Sequence, residues 1–212
     1  TFRRAKQIKK PVLVHINTVK GRGYDPAEKN PSKFHGVAPF YRESGALKKE
    51  NKNSFSSAFG DILCELAEKD DKICAITAAM TDGTGLKEFS EKYKERFFDV
   101  GIAEEHAMTF AAGLAAGGMK PVFAVYSSFL QRAFDQVMHD VAVANLPVTF
   151  CVDRAGLVGN DGETHQGVFD VSMLNSIPNT TCYYPCYFDE LAGCMEQGII
   201  RDKNLVAIRY PR

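Results

Sequence analysis

Four stretches of the sequence gather side chains that can move protons, stack on a ring or hold an anion. Gly101-Ile102-Ala103-Glu104-Glu105-His106 sets two carboxylates at the expected start of a helix. Tyr126-Ser127-Ser128-Phe129-Leu130-Gln131-Arg132 pairs two aromatics with a guanidinium. Asp153-Arg154-Ala155-Gly156 runs into a glycine-rich loop ending Asp161-Gly162-Glu163-Thr164-His165-Gln166-Gly167, and Arg209 stands close to the C-terminus. A carboxylate, two aromatics, three arginines and a histidine make the inventory of a small-molecule site with an anionic ligand. Each piece also has a plainer use. Glu104 can complement a helix dipole, Phe129 can serve a second packing surface, His165 can be an ordinary loop residue, and Arg154 and Arg209 can be structural ion pairs. Against those uses stand the glycines at 156, 159, 162 and 167, which let backbone approach a ligand, and the fit of arginine to phosphate.

The elements that must position these residues read as an α/β domain. Short apolar runs at 73–78, 96–101, 121–126, 147–153, 180–184 and 205–210 are expected strands, and 84–93, 104–117, 128–145, 168–175 and 189–201 are expected helices. A further helix follows Asn53 or Ser54 as cap, with Phe55, Ala58, Phe59, Ile62, Leu63, Leu66 and Ala67 at i, i+3, i+4, i+7 spacing. Apolar strands alternating with helices imply a mostly parallel sheet with helices on both faces. In such a sheet ligands collect at the carboxyl ends of the strands, where all four stretches fall. In the helix from 128, the expected core stripe is Leu130, Ala133, Phe134, Val137, Met138, Val141 and Ala142. Phe129 and Arg132 lie beside that stripe, three residues apart.

Upstream, residues 11–16 read as a short buried strand and 20–50 as a long loop. The 212 residues are 45% hydrophobic and 25% charged, an ordinary globular composition. The net charge of zero hides a division: residues 1–50 hold 12 basic and 4 acidic side chains, the rest 14 and 22. No apolar run approaches the ~18 residues of a membrane-spanning helix, and the larger domain has no basic stripe interleaved with aromatics, so neither membrane nor nucleic acid is an expected partner. The six cysteines form no Cys-x-x-Cys pair, and the sequence has no metal-ligand pattern. They read as reduced, buried, structural thiols of a cytoplasmic protein. The chain opens on Thr1 with no signal-peptide core and stops directly after a strand, so both ends read as cuts through a longer protein.

Together, Lys20-Gly-Arg-Gly-Tyr24 with Phe34-His35-Gly, Phe98-Asp-Val-Gly-Ile-Ala-Glu104-Glu-His106, the Phe129-Leu-Gln-Arg132 run, the Asp153 to Gly167 run and Arg209-Tyr-Pro-Arg212 resemble the 1-deoxy-D-xylulose 5-phosphate synthases, transketolase-like thiamine diphosphate enzymes. The resemblance covers essentially the whole chain. It implies the thiamine diphosphate-binding, transketolase pyrimidine-domain fold over 53–212, and a C-terminal remnant of the diphosphate-binding domain plus linker over 1–52. The remaining domains of the protein are expected outside the chain. The family's metal motif, Gly-Asp-Gly followed by Asn, does not occur, so the ligands of Mg2+ are expected in the missing N-terminal domain and no metal-ligating residue here.

The resemblance implies condensation of pyruvate with D-glyceraldehyde 3-phosphate and loss of CO2, in a homodimer of longer chains, with this chain alone inactive. Glu104 matches the glutamate that hydrogen-bonds the cofactor's aminopyrimidine, and Glu105 stands where the family usually has Gln. Phe129 matches the stacking residue, with Tyr126 nearby; Tyr24 matches a cofactor contact and Lys20 lies near the diphosphate. Arg132, Arg154, Arg209 and Asp161 resemble substrate-binding residues, and His35 and His165 proton-relaying histidines. Two alternatives stand beside this: a subunit of a split transketolase or 2-oxo acid dehydrogenase E1, and a non-catalytic binding module with the same fold.

Overall fold

The computed structural model describes residues 1–48 and 54–212. The chain divides into two units, Thr1–Glu50 and Asn51–Arg212.

The smaller unit carries helices α1 (Phe2–Gln7) and α2 (Asp25–Lys29). Neither was expected, and α2 corrects the reading of 20–50 as continuous loop. It forms because Pro26 occupies its first turn, where a missing N–H costs nothing. The strand expected at 11–16 does not form. A strand must be paired, and the only bridge among the unit's described residues joins Phe40 and Leu47. Leu13 is accordingly 94% exposed. What organises this unit is an aromatic trio, Tyr24, Phe34 and Phe40, with ring centroids 5.3–5.9 Å apart.

The larger unit begins with α3 (Phe55–Lys69), capped by Ser54, whose Oγ accepts from the Ser57 N–H in a reciprocal capping box. The alternative cap, Asn53, lies outside the described residues. There follow β1 (Ile73–Thr77), α4 (Lys87–Lys92), β2 (Phe97–Asp99), α5 (Glu104–Ala116), β3 (Lys120–Tyr126), α6 (Ser127–Leu130), α7 (Phe134–Gln136), β4 (Thr149–Asp153), α8 (Asp170–Asn175), β5 (Thr180–Tyr183), α9 (Phe188–Glu196) and β6 (Leu205–Arg209). All six strands are parallel, in the order β2-β1-β3-β4-β6-β5. One face of the sheet packs against α3, α4 and α9 through Phe59, Leu63, Phe89, Leu191 and Met195. The other packs against α5, α8 and the 127–142 segment through Met108, Ala111, Leu130, Val137 and Leu174. Both faces are covered, which is why the strands read as unbroken apolar runs.

Three helices depart from expectation, and the one expected over 189–201 is α9 followed by a π-helical stretch (Gln197–Arg201). The segment expected as one helix over 128–145 is broken: α6 passes through a 3-10 turn (Gln131–Ala133) into α7, and then into a π-helical stretch (Val137–Ala142). These changes of pitch rotate the apolar stripe, so Phe134 is 37% exposed while Val137, Val141 and Ala142 remain in the core. The helix expected from 84 starts only at Lys87. Gly85, at φ +81°, is pressed against α3 so closely that a Cβ would sit 1.9 Å from the Ser56 carbonyl oxygen, and a Cβ on Gly60 would sit 2.1 Å from the Gly85 carbonyl oxygen. That paired absence of side chains lets the 81–86 turn dock on α3.

Candidate active site

The carboxyl ends of β1, β2, β3, β4 and β6 hold the site residues of the larger unit. β2 is short because Asp99 turns the chain: its carboxylate accepts the Gly101 N–H at 3.0 Å, and Gly101 has φ +74°. Three residues later α5 opens with Glu104, so the carboxylate lies at the positive end of a thirteen-residue helix. Glu104 is 1% exposed. Its Oε1 accepts from Arg132 Nη1 at 2.8 Å, whereas its Oε2 is buried with no hydrogen-bond partner. A buried acceptor left unpaired costs roughly 1–3 kcal/mol. The neighbouring Glu105 is exposed and points its charge at water.

Beside that carboxylate stands a wall of rings. Tyr126 and Phe129 are stacked at 5.6 Å between centroids, and His165 meets Phe129 edge-on at 5.2 Å. Arg132 Cζ lies 5.2 Å from the centre of Phe129, and Arg154 Cζ lies 3.8 Å from the centre of Tyr126. Gly83 makes room for this wall, since a Cβ there would lie 1.7 Å from the Tyr126 hydroxyl oxygen. Burial pushes the Tyr126 phenol above its ordinary pKa, so it stays a neutral donor. His165 Nδ1 lies 3.0 Å from Thr164 Oγ1. A flat ring face, a guanidinium and an unpaired carboxylate oxygen suit a nitrogen heterocycle that donates a hydrogen bond.

The other arginines are engaged. Arg154, with φ +59°, donates from Nη1 to the Gly83 carbonyl at 2.9 Å and to Asp153 Oδ1 at 3.0 Å, and from Nε to Asp161 Oδ2 at 3.0 Å. Asp153 is buried and also accepts from Ser56 Oγ at 2.6 Å; burial raises its pKa, and Arg154 and Ser56 oppose that rise. Arg209 donates from Nε and Nη2 to the two oxygens of Asp170, both at 3.0 Å, and its guanidinium lies 5.2 Å from the Tyr184 ring centre. Asp161 has a second arginine, Arg212, whose side chain is 47% exposed. Sequence reasoning passed over Asp99, Asp153, Asp170 and Arg212. For Arg212 a signal existed in Arg209-Tyr-Pro-Arg212, where the second arginine is as eligible as the first.

In the smaller unit, the Tyr24 hydroxyl donates to the Arg42 carbonyl at 2.8 Å, while Lys20 and His35 are exposed. Among the described residues no group of three or more His, Cys, Asp or Glu could hold a metal ion, and no helix is long and apolar enough to cross a membrane. All six cysteines are free. Cys64, Cys74 and Cys151 are buried, and burial lifts Cys64 to about 11 and Cys74 to about 12. The expectation of six buried thiols needs correcting: Cys186 is exposed and Cys182 and Cys194 are half-buried; Cys182 lies in the edge strand β5, which has a neighbour on one side only, Cys186 follows that strand, and Cys194 lies in α9.

Known proteins share this sequence and fold. The chain is 58% identical over 208 residues to a 1-deoxy-D-xylulose-5-phosphate synthase of Clostridium perfringens, covering 98% of this chain and 33% of the relative. It is likewise 58% identical over 213 residues to that of Aquifex aeolicus, covering 34% of it. The chain thus spans about a third of the length of these relatives. Among solved structures, a split-gene transketolase, described as an inactive β4 tetramer, aligns with a TM-score of 0.65 and 28% identity over 73% of this chain and 50% of its own. Transketolase from Campylobacter jejuni aligns at 0.67 with 19% identity, over 73% of this chain and 25% of its own, a likeness of fold. Residues 51–212 match the family described as transketolase, pyrimidine binding domain, and the chain belongs to it.

Proposed function

We propose that this chain is the central part of a 1-deoxy-D-xylulose 5-phosphate synthase, a thiamine diphosphate-dependent transferase. That enzyme condenses pyruvate with D-glyceraldehyde 3-phosphate and releases CO2. The observation that carries the reading is Glu104, a buried carboxylate with one oxygen held by Arg132, whose guanidinium also lies over the Phe129 ring, and the other without a partner. Residues 53–212 are then the pyrimidine-binding domain, and 1–52 the end of a diphosphate-binding domain with its linker. The neighbouring domains are partners, and the assembly is a homodimer, as the resemblance implies. The fully buried free thiols suit a reducing cytoplasm.

The residues fit the cofactor. An unpaired, buried acceptor oxygen needs a donor, and the aminopyrimidine of thiamine diphosphate provides one. When bound, the cofactor supplies a carbon acid that adds to a ketone and stabilises the carbanion left by decarboxylation. Because Arg132 occupies Oε1, Oε2 is the atom at which Glu104 would exchange a proton with the pyrimidine. Phe129 and Tyr126 would offer the stacking face, and His165 a proton relay to substrate oxygens. Arg154 would bind substrate phosphate together with Arg212 once Asp161 yields, with Arg132 and Arg209 lining the same edge. As the resemblance implies, Tyr24 and Lys20 would contact the cofactor, Lys20 near its diphosphate, and His35 would relay protons to substrate oxygens. Mg2+ does not fit this chain: the described residues hold no cluster of ligands, so its ligands would come from the preceding domain.

The test uses the full-length protein that carries this sequence. Product formation from pyruvate and D-glyceraldehyde 3-phosphate with thiamine diphosphate and Mg2+ supports the reading, and transfer between ketose and aldose phosphates without pyruvate consumption overturns it. A second reading, a separate subunit, draws on the split-gene transketolase, of which this chain covers half. The mass of the native polypeptide decides between them: about three times this chain's length supports the synthase.

A further inference from the structure

No side chain caps α5, the helix that Glu104 opens. The residue before it, Ala103, offers no capping oxygen, and the helix entry rests on backbone alone: Ala107 N–H to the Ala103 carbonyl at 3.0 Å and Ala103 N–H to the Gly101 carbonyl at 2.8 Å. The turn leading into it is fixed from Asp99. One carboxylate oxygen, Oδ1, accepts both the Gly101 N–H at 3.0 Å and the Ala79 N–H at 2.8 Å; the other, Oδ2, accepts the Thr81 hydroxyl at 2.9 Å. Asp99 therefore joins the exits of two adjacent strands, β1 and β2. Each exit contains a left-handed residue, Ala79 at φ +60° and Gly101 at φ +74°. For Ala79 that conformation carries a cost of roughly 1–2 kcal/mol, which persists only where surrounding contacts over-determine it.

The two exits lead to opposite poles of the site. From Gly101 the chain reaches Glu104. From Thr81 it reaches Gly83, whose carbonyl takes Arg154 Nη1 at 2.9 Å and whose bare Cα accommodates the Tyr126 hydroxyl. Thr81 also anchors its own turn, its carbonyl accepting the Leu86 N–H at 2.9 Å. We infer that Asp99 is a positioning residue that sets the spacing between the Glu104 carboxylate and the Tyr126–Arg154 pole by clamping the exits of β1 and β2. It acts by placing Glu104 relative to that pole, and it touches no ligand. The inference rests on the synthase reading for its catalytic consequence and on the geometry alone for the clamp.

The experiment compares wild type, Asp99→Ala, Asp99→Asn, Glu104→Ala and the Asp99→Ala/Glu104→Ala double variant in the full-length protein. Misplacement of a catalytic group by about an ångström can cost on the order of a hundredfold, so kcat of Asp99→Ala should fall by about ten- to a hundredfold in protein that still folds, at a somewhat lower unfolding midpoint. Asp99→Asn retains a carbonyl oxygen for the two backbone donors and should recover most of that loss. The double variant should be no slower than Glu104→Ala, because the clamp works through the same carboxylate. Additive losses, or a kcat for Asp99→Ala within about twofold of wild type, overturn the proposal. If Asp99→Ala does not fold, Thr81→Val, which removes the contact to Oδ2, carries the same double-variant comparison. Amide exchange in the ligand-free protein separates the clamp from the function. Faster exchange at 79–81 and 100–104 in the variant, with β4 still protected, supports the clamp, and unchanged exchange there overturns it. Absence of synthase turnover in wild type would overturn only the functional reading.

Discussion

The two poles of the site are finished to different degrees. At the Arg154–Arg209 pole every charge is answered from within the chain: Arg209 has Asp170, and Arg154 has Asp153, Asp161 and the Gly83 carbonyl. At the Glu104 pole the account is open, with Oε2 buried and unpaired. The contrast separates two kinds of readiness. A ligand at the first pole must displace a carboxylate before it is held, and Asp161, shared between Arg154 and Arg212, is the one placed to give way. A ligand at the second pole meets an acceptor already waiting. Removing side chains at each pole tests the difference, because an open acceptor is needed for chemistry and a closed ion pair for the fold.

The largest effect is expected at the open pole. Glu104→Ala in the full-length enzyme should lower kcat by about 10^2–10^4-fold, the range of a lost general acid–base group, while circular dichroism and the unfolding midpoint stay close to wild type. A variant that turns over within a few-fold of wild type would remove Glu104 from the chemistry and erase the contrast. At the closed pole the loss should appear in stability. Asp170 is buried and answers Arg209 with both oxygens, so Asp170→Ala strands a guanidinium whose side chain is 18% exposed. Breaking such a pair costs about 3–5 kcal/mol, read as a shift in the denaturant midpoint. A loss below about 1 kcal/mol would place the pair with ordinary surface bridges.

Between the poles, Gly83→Ala sharpens the comparison. The added Cβ meets the Tyr126 hydroxyl at 1.7 Å, so the ring must move, and with it the surface beneath Arg154. Overpacking of this kind costs about 1–3 kcal/mol, and under the proposed function the shift should raise KM for the aldehyde phosphate more than it lowers kcat. The reverse pattern would tie Tyr126 to the Glu104 pole.

The sheet was legible because each strand is an apolar run buried on both faces, and its alternation with helices left few other topologies. The same signal misled at 11–16, where Val12, Leu13, Val14 and Ile16 carry the composition of a strand but have no neighbour to pair with among the described residues. Pitch changes within 127–142 were invisible as well, since 3-10, α and π turns accept the same residues and differ in what they pack against. In the site, the ring, the helix-initial carboxylate and the arginines stood out by type. Their partners did not: Asp170 is 39 residues from Arg209, and Asp99 acts on Ala79 and Thr81 across 20 and 18 residues. A single aspartate at such a distance carries no pattern, and only the register of parallel strands brings it to its donors.

The smallest effect checks whether an unpaired buried atom is by itself the mark of a site. Tyr210 is fully buried, stacked against Phe55 and Phe59, and its hydroxyl, like Glu104 Oε2, has no partner. Here nothing recommends a ligand: the ring lies in the core between the sheet and α3. Tyr210→Phe should therefore leave kcat unchanged and be neutral or stabilising by up to about 1 kcal/mol, since the hydroxyl pays desolvation without a bond. Burial holds the Tyr210 phenol well above its ordinary pKa, so the folded state keeps a proton that the unfolded state releases near pH 10. Stability is complete below that pH and falls as pH rises beyond it, by the linkage between proton binding and folding. The phenylalanine variant should lose that part of the alkaline decline. An equal decline in both proteins would assign it to other groups such as Cys151, whose thiol burial also raises, and a drop in kcat would make Tyr210 a second open acceptor rather than a buried misfit.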